Sequence, residues 1–247
     1  EHHHDEDPAR RGELEHAATF AAFKAACSRI SPRLYHCPPR RILIDAHPDY
    51  ISSVFGMKLA QEKHLFLTAI WHHVAHVHAV IAEHALELPV LGIAWDGMGL
   101  GEHQALLGGE AFRVTPEASL HCASLQPFPL PGGEAAIREP RRAALGLLYA
   151  AEGPSALHHP ALALLFDDTA LVVLETMLAK GINSPTCHSI GRLFDAVSAL
   201  LGLCAISRYE GDAAMQLQFA AETAQREGVA TPDLAFKLEG GTINWQA

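Results

Sequence analysis

Three short apolar runs, Arg41–Asp45, Leu65–Ile70 and Val90–Trp95, alternate with two stretches whose apolar residues recur at helical spacing. No other feature constrains the fold as tightly. Short runs bounded by turn residues read as buried strands, and strands separated by helices build α/β units around a partly parallel sheet. Pro48 opens the first connecting helix, expected to reach Glu62, and the second is expected from Trp71 to Leu86. Ahead of them, Leu14, Ala17, Ala18, Ala21, Ala25 and Ala26 mark a surface helix from Glu13 to Ile30.

The pattern changes after Asp96. Gly97-Met98-Gly99-Leu100-Gly101 reads as a glycine-rich turn, with Leu106 to Val114 as the return strand of a hairpin. Pro127-Phe128-Pro129-Leu130-Pro131-Gly132-Gly133 is rigid punctuation and the expected lobe boundary. Helices follow at Glu139–Ala151, Asp168–Lys180, Ser189–Leu203 and Gly211–Glu227, then a final hairpin around Gly240-Gly241. The expected organisation is a disordered leader at 1–11, a first α/β lobe at 12–134 carrying a metal site, and a second, mostly helical lobe at 135–247.

Composition excludes several classes. With 49% hydrophobic and 19% charged residues the chain is globular. Glu83, His84 and Glu87 interrupt its richest apolar region, so no membrane span is expected and the chain reads as cytoplasmic. A net charge of −10 argues against nucleic acid, whose backbone is bound by Lys and Arg. Cys27, Cys37, Cys122, Cys187 and Cys204 form no CxxC pair, which leaves buried reduced thiols as the plain reading. No Gly-x-Ser-x-Gly elbow, Walker loop or dinucleotide fingerprint is present. Of the 17 histidines, His2, His3 and His4 sit in the polar leader.

The sharpest chemical signal is Trp71-His72-His73-Val74-Ala75-His76. On a helix, His72 and His76 stack on one face and can bring two imidazoles to one metal ion, while His73 and His76 form a competing pair. A row of surface histidines is the plain alternative. A two-histidine site needs an oxygen ligand, and Asp96, at the end of the next strand, supplies one. Gly97, Gly99 and Gly101 could let backbone N–H groups cradle phosphate beside the metal, or simply form a hairpin turn. Gly191-Arg192-Leu193-Phe194-Asp195 opens a helix suited to phosphate or ribose hydroxyls, though Asp195 could equally serve the helix dipole. Asp45-Ala46-His47-Pro48-Asp49-Tyr50 follows a buried strand, where open α/β sheets place ligands, so His47 and Asp49 are candidate neighbours of the site. Asp45 or Asp49 could instead cap the following helix.

These motifs are not independent. Arg11-Gly12-Glu13-Leu14-Glu15, Asp45 to Tyr50, His72 to His76, Trp95 to Gly101, Gly108-Gly109-Glu110, Pro129 to Gly133, Arg138-Glu139-Pro140, Ile182-Asn183-Ser184-Pro185, Gly191 to Asp195 and Tyr209-Glu210-Gly211 follow one another in a specific order. In that order they resemble the catalytic region of the hydrogenase maturation carbamoyltransferase family, HypF, from about Gly12 to Glu222. More distantly they resemble the tRNA threonylcarbamoyl-transfer proteins and antibiotic O-carbamoyltransferases. Met98 and Asp212 stand where that family usually has threonine and glutamine.

The resemblance implies an α/β, actin-like ATPase two-lobed fold, with the first strands of one lobe and a terminal Asp-Gly-Gly segment lying outside this chain. It implies transfer of a carbamoyl group from carbamoyl adenylate, made from ATP and carbamoyl phosphate, to the C-terminal cysteine thiol of a HypE-like partner. That step leads to the cyanide ligands of nickel-iron hydrogenases. By position, His72, His76 and Asp96 would hold the family's iron or zinc, Gly97, Gly99 and Gly101 would face phosphate, and Gly191, Asp195 and Gly211 would face the nucleoside. Two competing expectations remain: an inert fragment that at most docks a partner, and a tRNA threonylcarbamoyl-transfer relative.

Overall fold

A computed structural model describes residue 14 and residues 16–35, 39–101, 105–231 and 236–245. The leader expected at residues 1–11 lies outside them. The chain divides into two compact units, residues 1–72 and 73–247. The boundary expected after residue 134 falls inside the second.

In the first unit, helix α1 (Ala17–Tyr35) precedes strand β1 (Arg41–Asp45), helix α2 (Ile51–Lys63) and strand β2 (Phe66–Ile70). β1 and β2 are parallel, in register from Arg41 opposite Phe66 to Asp45 opposite Ile70. Phe20 and Phe23, one turn apart on α1, pack edge-on against Phe55 of α2 at 5.9 and 5.7 Å between ring centroids. Gly56 lets α2 lie close on β1, because a Cβ there would come within 2.5 Å of Ile44. The helix expected from Pro48 begins instead at Ile51, since the intervening residues are drawn into a turn. The Asp45 carboxylate accepts the His47 N–H at 2.7 Å, and the His47 ring accepts the Asp49 N–H at 3.2 Å. Neither aspartate caps α2, whose N-cap is Tyr50 without a side-chain bond.

The second unit begins within helix α3 (His72–Glu83), which continues into strands β3 (Val90–Leu100), β4 (Leu106–Val114), β5 (Ser119–Leu125) and β6 (Phe128–Pro129). Helices α4 (Ala135–Arg138), α5 (Pro140–Glu152), α6 (Pro160–Leu165) and α7 (Asp168–Lys180) follow. Strand β7 (Thr186–Cys187), helices α8 (Ile190–Leu200) and α9 (Asp212–Arg226) and the hairpin β8 (Lys237–Glu239) to β9 (Thr242–Asn244) complete it. The strands form a seven-stranded mixed sheet in which β4 is flanked by β3 and β5 and touches β7.

Asp96 to Leu100 is not the turn expected from its glycines. The segment extends β3, with Trp95 opposite Gly109 and Gly99 opposite Leu107, so that Asp96, Gly97 and Met98 bulge out opposite Gly108. A bulge re-aims the side chain it carries. The pairing runs on to Leu100 opposite Leu106, and the Gly101 N–H then meets the Ala105 carbonyl at 2.9 Å.

Three apolar clusters hold this unit. Val77 of α3 packs with Ala94, Phe112 and Val114 of the sheet, and Gly92 leaves the space that Val77 fills. α5 meets α8 through Ala143, Ala144, Ala196 and Ala199, all 1% exposed or less, over Phe128, Leu130 and Cys187. Leu145, Leu162, Phe166, Leu174 and Leu178 join α5, α6 and α7. Burial pushes the Cys187 thiol up to about 11, which keeps it protonated and inert in the core. Among the described residues, no helix is long and apolar enough to cross a membrane.

Candidate metal centre

α3 and β3 carry the site. His72 is the first residue of α3, so its position relative to His76 is set by one turn of that helix. The Asp96 carboxylate projects from the β3 bulge. Its Oδ1 accepts the Gly97 N–H at 2.6 Å, which leaves Oδ2 facing α3, 3.7 Å from His76 Nε2 and 3.5 Å from His73 Nε2. His73 is buried, whereas His76 is 58% exposed. One potential ligand atom from each of His72, His76 and Asp96 lies within 4.8 Å of the other two.

The chemistry of this donor set fits a metal ion. An ion about 2.0–2.2 Å from each ligand atom brings those atoms to about 3–3.5 Å of one another, so small side-chain rotations complete the cluster. Two imidazoles and one carboxylate suit zinc or ferrous iron and leave positions open for a substrate oxygen. His73, the partner of His76 in the competing pair, also faces Asp96, but from the buried side of the helix.

The backbone around Asp96 is held by close approach. Ser189, the N-cap of α8, accepts the Arg192 N–H at 3.0 Å, donates to the Asp96 carbonyl at 3.1 Å, and also meets the Gly97 carbonyl. A Cβ on Gly191 would lie 2.7 Å from the Gly97 Cα, and one on Gly108 would lie 2.8 Å from the Asp96 carbonyl. Only glycine fits at either place. Gly97 therefore sits beneath the first turn of α8, its N–H held by Asp96. Gly99 is paired within the ladder, and Gly101 closes the hairpin.

Asp195 lies in α8, 4% exposed, with Oδ2 2.6 Å from Arg192 Nη1. Burial pushes its carboxyl up to about 6, with Arg192 opposing the rise. Gly211 begins α9 in the left-handed region at φ 79°. The next residue, Asp212, is wholly buried, and its carboxylate accepts from the Arg208 backbone and side chain and from Gln216 Nε2. These bonds hold the Asp212 carboxyl well below the usual range and lock the entry to α9. His47 stacks on Tyr50 at 4.1 Å between ring centroids, and Asp49 is exposed beside it.

Two further acidic residues lie outside the expected ligand set, one in each unit. Asp45 Oδ2 lies 2.9 Å from His72 Nδ1. Glu110, wholly buried, accepts from Gly108 N and Gly109 N at 3.3 Å each, from Ser124 Oγ at 2.5 Å and from His121 Nε2 at 2.7 Å. Its carboxylate thereby receives the strand N–H groups opposite the bulge, where the ladder is interrupted. The Gly108-Gly109-Glu110 order was visible in the sequence, but its pairing with Ser124 and His121 was not.

Residues 92–247 match the family model "Carbamoyltransferase, Kae1-like Domain, second subdomain", and residues 9–83 match "HypF Kae1-like domain". Carbamoyltransferase HypF of Rhodobacter capsulatus is 39% identical over 238 residues, 94% of this chain and 30% of the relative. Carbamoyltransferase HypF2 of Cupriavidus necator is 36% identical over 214 residues, 86% of this chain and 26% of the relative. The crystal structure of T. kodakarensis HypF superposes with a TM-score of 0.80 at 29% identity, over 94% of this chain and 31% of that one. A full-length HypF in a phosphate- and nucleotide-bound form superposes at 0.78 with 27% identity, covering 94% of this chain and 35% of that one. The mixed α/β fold is thus that of Kae1-like, actin-like ATPase-type domains. The chain spans about a quarter to a third of the length of these relatives.

Proposed function

Since this chain belongs to the HypF family of carbamoyltransferases, we propose that it carries out the carbamoyl-transfer step, from carbamoyl adenylate to the C-terminal cysteine thiol of a HypE-like partner. In the reaction so proposed, the thiol sulfur bonds to the carbamoyl carbon, the bond from that carbon to the phosphate oxygen breaks, AMP leaves, and the thiol proton passes to solvent. The observation that supports it most is the convergence of His72, His76 and Asp96 beside a glycine-lined backbone. These three residues would hold iron or zinc, which would supply Lewis-acid charge to the leaving phosphate. Gly97, whose missing side chain leaves space with only Arg192 within 4 Å, is where the phosphate would approach the backbone. Asp195 offers its carboxylate to a ribose hydroxyl once it parts from Arg192, and Gly211 lets the adenosine lie against the start of α9. Holding the thiol next to the carbonyl contributes through proximity.

The test is to incubate the purified chain with carbamoyl adenylate and a peptide ending in the partner's cysteine. Release of AMP that depends on the peptide, with carbamoylated peptide seen by mass spectrometry, is the expected result. Release no faster than in buffer contradicts transfer by this chain and favours a docking fragment.

A further inference from the structure

We infer that Asp45 is a positioning residue for the metal centre: its carboxylate fixes the ring orientation and tautomer of His72, so that Nε2 is the atom offered to the ion. The inference rests on reading His72, His76 and Asp96 as ligands. Asp45 ends β1, 27 residues before His72, and the two side chains are only 17% and 28% exposed. Its carboxylate cannot swing freely. Oδ1 is fixed by the His47 N–H at 2.7 Å, while the Asp45 carbonyl accepts the hydroxyl of Ser53, a residue 1% exposed, at 3.0 Å. Oδ2 is thereby aimed at His72 Nδ1.

A neutral imidazole carries its proton on one nitrogen only. Beside a carboxylate, that proton sits on Nδ1 and is donated to Asp45, so the Nε2 lone pair is left for a cation. The bond also removes ring rotation that would otherwise be lost on metal binding. Partners of this kind typically contribute about 10–100-fold to metal affinity. Asp96 is held by the same logic from its other side, with Oδ1 spent on Gly97 N and Oδ2 facing the histidines. Asp45 thus acquires a role apart from helix capping, which it does not perform.

The experiment compares the full chain with Asp45→Ala, Asp45→Asn, Ser53→Ala and His76→Ala variants. Zinc affinity is measured by competition titration, and the His72 tautomer of the metal-free chain by NMR of nitrogen-15 imidazoles. Asp45→Ala is expected to weaken zinc about 10–100-fold and to release His72 from the Nδ1–H tautomer. Asp45→Asn, whose amide oxygen still accepts that proton, falls between. Ser53→Ala loosens the same loop but keeps the carboxylate, and should shift both readouts less than Asp45→Ala does. An unaltered tautomer and affinity in Asp45→Ala overturn the inference, as does a loss in Ser53→Ala equal to that in Asp45→Ala. Zinc binding that ignores His76→Ala is a separate outcome: it overturns the ligand reading, and the tautomer still decides what Asp45 does to His72.

Discussion

Replacing Gly191 with alanine tests how the site is built. In a helix this change usually stabilises, by up to about 1 kcal/mol, because alanine has the higher propensity. Here the new methyl would lie 2.7 Å from Gly97 Cα, 3.1 Å from the Asp96 carbonyl and 3.3 Å from Gly97 N, all of them backbone atoms that cannot rotate away. Ordinary carbon contacts are about 3.5–4.0 Å, so the first turn of α8 must retreat from β3 by most of an ångström. Overpacking of that kind costs about 1–3 kcal/mol. The retreat also stretches the bond that the single Ser189 hydroxyl proton makes to the Asp96 and Gly97 carbonyls, worth about 1 kcal/mol. The clash outweighs the propensity, and a net loss of about 1–3 kcal/mol is expected.

Urea unfolding followed by circular dichroism measures it, with Ser189→Ala as the companion that removes the cap without adding volume. That companion should lose about 2 kcal/mol, about 1 for the N-cap and about 1 for the bond its hydroxyl donates. Equal or greater stability in Gly191→Ala would refute the close approach of α8 to the bulge. A purely nucleotide-facing Gly191 makes a different forecast, weaker AMP binding with stability untouched.

Two further substitutions probe buried acids. Glu110→Ala strands the Gly108 and Gly109 N–H groups and the Ser124 hydroxyl, and should cost about 3 kcal/mol or more in urea midpoint measurements; a loss under about 1 kcal/mol contradicts the proposed role opposite the bulge. Asp195 keeps its proton in the folded chain up to about 6, against an ordinary value of 3.8. The stability this confers is present below the ordinary value and is lost as pH rises through the folded one. The stability advantage of wild type over Asp195→Asn should therefore shrink between about pH 4 and pH 7, by up to about 3 kcal/mol. An advantage that does not change with pH refutes the raised carboxyl.

Local signals made part of this fold legible. β1 matches its apolar run residue for residue, and α7 spans Asp168–Lys180 as expected because its stops are local: the Asp167 side chain caps Ala170 N at 2.8 Å, and Gly181 takes the left-handed conformation at φ 64°. β3 was cut short because glycines usually signal turns. What carries the strand on to Leu100 is its pairing with β4, a non-local contact that composition does not encode. His72, His76 and Asp96 could be named from helical spacing and strand position. Asp45 could not be joined to His72, nor Glu110 to Ser124 and His121, because each pair is made by tertiary packing between segments distant in sequence. Asp195 was expected to face a ribose, and its burial against Arg192 was likewise invisible.

The central claim is that His72, His76 and Asp96 form a metal centre. Elemental analysis of the purified chain, with His2, His3 and His4 replaced by alanine to remove adventitious ligands, tests it most directly. The account predicts about one iron or zinc ion per chain, the stoichiometry of a three-ligand site, and its loss in the His72→Ala, His76→Ala double variant at unchanged circular dichroism. Metal content that is the same with and without the two histidines would contradict it.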